Sequence, residues 1–191
     1  MYSERIVNGN IPKIKSKTVK TENKPVEIPD SINTLINKRL DRLSDSELKT
    51  LQIASVIGND FTDTLLKKIS GMLSSDQSVE FILIELIENK FIKYSDKVFG
   101  FEKYYEFHHD VIRKIIYETI TEENKIILHK TVGEAIEDLF QDKIEQNYYT
   151  LCEHFENGKA ENKTLEYLEK TGDWARDNFE NEKAVEYYEK L

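Results

Sequence analysis

The chain has 191 residues, of which 39% are hydrophobic and 33% charged, and a net charge of −9. This is too apolar for a disordered chain and suits a soluble, helix-rich protein of one domain plus a second small one. The acidic balance argues against nucleic acid or an anionic membrane as a general partner. The single cysteine, Cys152, leaves no disulfide framework and no cysteine zinc site. Cysteine usage and an N-terminus (Met1-Tyr2-Ser3-Glu4-Arg5) without an apolar signal core point to the cytoplasm. Apolar runs such as Phe81-Ile82-Leu83-Ile84 are far too short to span a bilayer.

Residues 1–27 read as a tail or linker. Asn8-Gly9 is a turn signal, and Lys13, Lys15, Lys17, Lys20 and Lys24 follow with no acidic residue between Glu4 and Glu22. Pro29-Asp30-Ser31 opens a helix with an apolar stripe of Ile32, Leu35, Ile36, Leu40 and Leu43. Ser44-Asp45-Ser46-Glu47 is a capping box, so a core helix is expected over 45–57, ending at Gly58. Thr62 caps a short third helix through Lys68. Ser74-Ser75-Asp76 leads into a helix with Val79, Ile82, Leu83, Leu86 and Ile87 at helical spacing. Residues 91–94 read as a strand, Ser95-Asp96-Lys97 as a turn, and the aromatic run to Phe107 as the returning strand. Helix, helix, helix, hairpin is the order of a winged helix, with the hairpin as the wing.

The sharpest feature is the junction Phe107-His108-His109-Asp110, which runs straight into a helix carrying Val111, Ile112, Ile115 and Ile116. Nothing in packing asks for two histidines and an aspartate there. The stretch resembles the MHD segment in the winged-helix domain of STAND ATPases, the signal-transduction NTPases related to NB-ARC and MalT-like proteins. The words Ile28-Pro29-Asp30-Ser31-Ile32, Arg39-Leu40-Asp41-Arg42-Leu43, Ala54-Ser55-Val56-Ile57-Gly58 and Leu128-His129 are similar to that family's in the same order. The resemblance implies a mainly α chain: a winged-helix domain over 28–120 with a small β-hairpin wing, then a TPR-like helical arm over 121–191. It also implies that one histidine reads the phosphates of ATP or ADP held by a P-loop domain outside this chain. Either His108 or His109 can fill that position. His109 is favoured because Asp110 and the apolar helix follow it directly. Asp110 would then orient the junction and Arg113 would pair across the interdomain surface.

Thr121 caps a helix with the stripe Leu128, Val132, Ala135, Ile136 and Leu139. A second helix carries Tyr148, Leu151, Cys152 and Phe155 and is broken at Asn157-Gly158. A long helix follows over 162–178, and a last one begins near Glu182. Gly172, Ala184 and Tyr188 have the separations of the small and aromatic positions of a tetratricopeptide unit. The expected partner-binding residues on this arm are Leu168, Gly172, Ala175, Ala184 and Tyr188. A single unit cannot bury its own face, so the chain reads as a fragment of a longer protein.

Chemistry sought elsewhere is missing from the sequence. The only Gly-Lys pair, Gly158-Lys159, lacks the rest of a Walker A segment, so no ATPase and no catalytic residue is expected in this chain. No His-Glu-x-x-His word occurs, so no metal site is expected. Cys152 lies on an apolar stripe as a structural thiol, and His129 and His154 read as surface or satisfied core residues. The helix before the wing carries Asp76, Glu80, Glu85 and Glu88 against Lys90, which repels phosphate rather than binding it. The rival to the sensing role is a plain protein-interaction module. A DNA-binding winged helix is a weaker third.

Overall fold

The structure, a computed structural model, describes residues 30–73, 78–96 and 103–191. The expected linker over 1–27, the Ser74-Ser75-Asp76 lead-in and the turn from Lys97 into the returning strand lie outside the described residues. Among these the chain is mainly helical with one small three-stranded antiparallel sheet.

Helix α1 (Asp30–Leu40) buries only Ile36 and Leu40 of its apolar stripe. Its far end is held by Arg39, whose guanidinium donates to Asn89 O (2.6 Å) and lies 4.4 Å from the centre of the Phe91 ring. Helix α2 (Asp45–Ile57) starts with the expected capping box. Glu47 N donates to Ser44 Oγ at 3.3 Å and Ser44 N donates to Glu47 Oε2 at 2.8 Å. Leu51, Ile53, Ala54 and Val56 are buried, and α2 packs against the four helices that follow it. It stops at Gly58, whose φ of 149° is one that side chains rarely adopt.

Strand β1 (Asp60–Thr62) precedes α3 (Asp63–Met72), so Thr62 closes a strand and also caps a helix, accepting from Leu65 N at 3.2 Å. Helix α4 (Val79–Glu88) leads through a left-handed Lys90 (φ 54°) into β2 (Ile92–Tyr94). Strand β3 (Tyr104–Phe107) runs between β1 and β2, antiparallel to both, with Asp60 opposite Glu106 and Ile92 opposite Phe107. The central position explains its alternation: Tyr105 and Phe107 are buried while Tyr104 and Glu106 are half-buried.

Helix α5 (Asp110–Glu118) lays Ile112, Ile115 and Ile116 into the core. Helix α6 (Glu122–Leu139) packs on α2 and α3 and also on α7 (Tyr148–Asn157), which it reaches through a 3₁₀ segment, Gln141–Asn147. Helices α8 (Glu161–Asp177) and α9 (Asn181–Tyr188) each pack on the one before. One apolar core runs unbroken from Ile36 to Leu168. An ion pair between Lys68 and Asp138 adds to the seam between α3 and α6.

Helices α4, α7 and α8 end in the same way. Lys90, Lys159 and Phe179 have φ between 51° and 62°. The N–H after each turns back to a carbonyl five residues earlier: Phe91 to Leu86, Ala160 to Phe155, Glu180 to Ala175. This is the paired C-terminal cap usually built on glycine. The break expected at Asn157-Gly158 is there, but Lys159 takes the left-handed conformation. Gly158 is needed for proximity instead, since a Cβ there would lie 2.8 Å from Lys130 N.

Candidate functional site

The turn before α5 is fixed by backbone bonds on both sides. Phe107 N donates to Asn59 O at 3.2 Å and His108 N to Phe91 O at 2.9 Å. His109 follows in an extended conformation (φ −147°, ψ 140°) as the residue capping α5, and its carbonyl accepts from Ile112 N at 2.9 Å. Its ring makes no capping bond and is exposed, 5.0 Å from the half-buried His108 ring. Of the two histidines, His109 is therefore the more open to a ligand. The first turn of a helix has backbone N–H groups without intrahelical partners, and its positive dipole end favours an anion.

Asp110 is exposed beside His109, with Lys114 Nζ 3.5 Å and Arg113 Nε 3.9 Å from its carboxylate. Arg113 departs from expectation. Its Nη1 donates to Ser55 O at 3.0 Å, and its Nε is buried without a hydrogen-bond partner. The side chain thus reaches α2 and is partly exposed. The cause is local: Ser55 lies 58 residues earlier but on the helix against which α5 packs.

Most of the residues expected to bind a partner on the arm are buried within the chain. Leu168, Gly172, Ala175 and Ala184 are buried by the packing of α7, α8 and α9. A Cβ on Gly172 would lie 2.6 Å from the Tyr188 ring, so the small residue is what lets the aromatic lie flat against α8. Tyr188 Oη donates to Asp173 Oδ1 at 2.6 Å. The apolar side chains left outside are Leu165, Phe179, Val185 and Leu191.

One constellation is invisible in the sequence. His129 on α6 and His154 on α7 are buried with their Nδ1 atoms 2.9 Å apart, and His129 Nε2 lies 2.9 Å from Tyr117 Oη on α5. The bonds must all point the same way. If Tyr117 donates to His129, then His129 donates to His154; if His154 donates, the whole direction reverses. Burial, and to a lesser degree the Lys125 charge, lowers the His129 pKa to about 4. Burial, and then His129, lowers His154 to about 3. Both rings are therefore neutral at pH 7. They form the back of a cleft of about 450 Å³ between α2, α5, α6 and α7, with Arg113, Lys114, Glu118 and Glu153 also on its walls. The only sequence signal was that each histidine lay within an apolar stripe, Leu128 to Ile136 and Leu151 to Phe155.

Cys152 is buried as expected, and burial pushes its thiol up to about 11, far from thiolate chemistry at neutral pH. Among the described residues no group of three or more acidic, histidine or cysteine side chains could hold a metal ion. No helix among them is long and apolar enough to cross a membrane. Comparison of the chain with protein-family models, with curated proteins and with solved structures gives no match.

Proposed function

We propose that this chain is the state-reading segment of a STAND-type ATPase. In this reading the unit built from α2 to β3 is a winged helix that closes over a nucleotide diphosphate held by a separate P-loop domain. His109 donates a ring N–H to a phosphate oxygen, a bond that strengthens if the imidazole is protonated. Helices α6 to α9 are a TPR-like arm that carries the change of state to a protein partner. The element order helix, strand, helix, helix, strand, strand, with the last strand in the middle of the sheet, supports the winged-helix part. Tyr188 against Gly172 supports the TPR-like part.

The observation that carries the reading is the His109 ring, exposed at the start of α5 with no hydrogen bond to it within the described residues. Arg113, tied to Ser55, serves in this reading to hold α5 against α2 rather than to touch nucleotide. The test is made on the parent reading frame. A Gly-x-x-x-x-Gly-Lys-Ser/Thr segment should be encoded upstream, and His109→Ala should speed ADP release about tenfold while His108→Ala leaves it unchanged. No such segment, or ADP release indifferent to His109, overturns the proposal.

A second reading, a protein-interaction module that never meets nucleotide, is favoured by the apolar side chains left outside the arm. Duplex DNA is disfavoured as a ligand because the outward face of α4 carries Glu80, Glu85 and Glu88.

A further inference from the structure

Helix α4 has a second face that the core does not use. Phe81 is 72% exposed and Ile84 49% exposed, both values unusual for side chains of this size in the middle of a helix. Glu85 and Glu88 are exposed as well. The spacing 81, 84, 85, 88 puts all four on one side. Lys67 satisfies the neighbouring Glu80 at 2.6 Å, but neither Glu85 nor Glu88 forms an ion pair among the described residues. The face is therefore an apolar pair bordered by two unneutralised carboxylates. It fits a segment that offers aliphatic side chains and ammonium groups together.

The chain contains such a segment. Residues 11–20, Ile11-Pro12-Lys13-Ile14-Lys15-Ser16-Lys17-Thr18-Val19-Lys20, hold four lysines, three aliphatic side chains and no acid. The remainder of the protein is acidic, so this is where positive charge is concentrated. Connectivity allows the contact. The end of α1 touches the end of α4 through Arg39 and Asn89 O at 2.6 Å. Nine helical steps place Asp30 about 14 Å back from Arg39 along α1. The ten steps from Lys20 to Asp30 span up to about 33 Å when extended, enough to return along α1 to α4.

We propose that the Phe81, Ile84, Glu85, Glu88 face of α4 is a docking surface for the chain's own basic segment, residues 11–20. The aliphatic side chains cover Phe81 and Ile84, and the lysines neutralise Glu85 and Glu88. Docking there would block α4 to any other partner, so the segment would regulate access to that face.

Carbodiimide cross-linking of the full chain, read by mass spectrometry, tests this, because it joins only a lysine and a carboxylate already in contact. A mixture of ¹⁴N- and ¹⁵N-labelled chains separates links within one molecule from links between two. The expected products are intrachain links from Lys13, Lys15 or Lys17 to Glu85 or Glu88. They should fall about fivefold in about 0.5 M NaCl, where exposed charges are screened within a few ångströms. They should fall by a similar factor in the double variant F81S/I84S, which keeps every charge and alters only exposed side chains. Three results overturn the proposal: no link to Glu85 or Glu88, links undiminished in F81S/I84S, or links only between differently labelled chains, which would assign the face to a second copy.

Discussion

Acid should loosen this protein through two buried rings. His129 and His154 face each other at 2.9 Å with one proton between them, and both are at least 95% buried. In the unfolded chain each titrates near its ordinary value, about 6.5. In the folded protein burial lowers them to about 4 and about 3. Below pH 6.5 the unfolded state therefore binds protons that the folded state refuses, and stability falls as pH falls. The contribution is fully present above about pH 7 and is lost on the way down to the folded values. One pKa unit corresponds to about 1.4 kcal/mol, so His129 alone accounts for about 3 kcal/mol. The first proton to enter the pair can still be shared as N–H⁺···N, so the joint loss is less than two independent shifts would give, about 3 to 5 kcal/mol by pH 4. That is a large fraction of the 5 to 15 kcal/mol typical of a domain. Urea unfolding at half-unit steps between pH 7 and pH 5 measures it, above the range where most carboxylates titrate. The wild-type chain should lose on average at least about 1 kcal/mol per pH unit more than the variant H129L/H154L. Equal slopes for the two, or a His129 ring resonance that titrates near pH 6.5 in the folded protein, would refute the reasoning.

His109→Ala should change the stability of this chain by less than about 0.5 kcal/mol in chemical denaturation, because the ring is exposed and makes no hydrogen bond among the described residues. A loss of several kcal/mol would mean that it serves packing. Gly172→Ala pushes a methyl group into the Tyr188 ring. The displacement outweighs alanine's better helix propensity and should cost about 1 kcal/mol net, seen as amide exchange about fivefold faster over α9. Slower exchange there would contradict the packing. Phe179→Gly should raise stability by about 1 kcal/mol, read as a higher urea midpoint, since the side chain is 89% exposed and its φ of 62° suits glycine. An unchanged midpoint would show that the phenyl ring contributes contacts of its own.

Local signals carried most of the helical reading. Ser44 and Glu47 specify the start of α2 without help from any other part of the fold, and Thr121 does the same for α6. What escaped depends on distant residues. Strand β1 is three residues long, too short for an alternation to register, and it is a strand only because Tyr104 to Glu106 lies beside it. His129 and His154 are 25 residues apart and meet because α6 and α7 pack together, which no spacing rule encodes. Arg113 was given an interdomain role by the family resemblance alone, and its hydrogen bond to Ser55, on another helix, has no signal in the sequence. On the arm, the small residues were rightly singled out as contacts. The contact they make is within the chain, and the exposed apolar side chains there include Leu165 and Val185. At the candidate site, the place of His109 could be read from the sequence, whereas the absence of a hydrogen bond to its ring among the described residues could not.

The order of strands in the sheet also constrains how the chain is built. The central strand, β3, is the last of the three in sequence, and it carries both sets of pairings. During synthesis β1 and β2 therefore emerge with no strand to pair with, and Phe61 and Ile92, buried in the finished core, remain uncovered until Tyr104 to Phe107 leave the ribosome. The Asp60–Glu106 pairing joins residues 46 positions apart and closes a long loop, a slow step compared with the neighbour-to-neighbour packing of α7, α8 and α9. Truncation between Tyr94 and Tyr104 should thus leave two unpaired strands rather than a smaller version of the same sheet, and such a nascent chain is where a chaperone would be needed most.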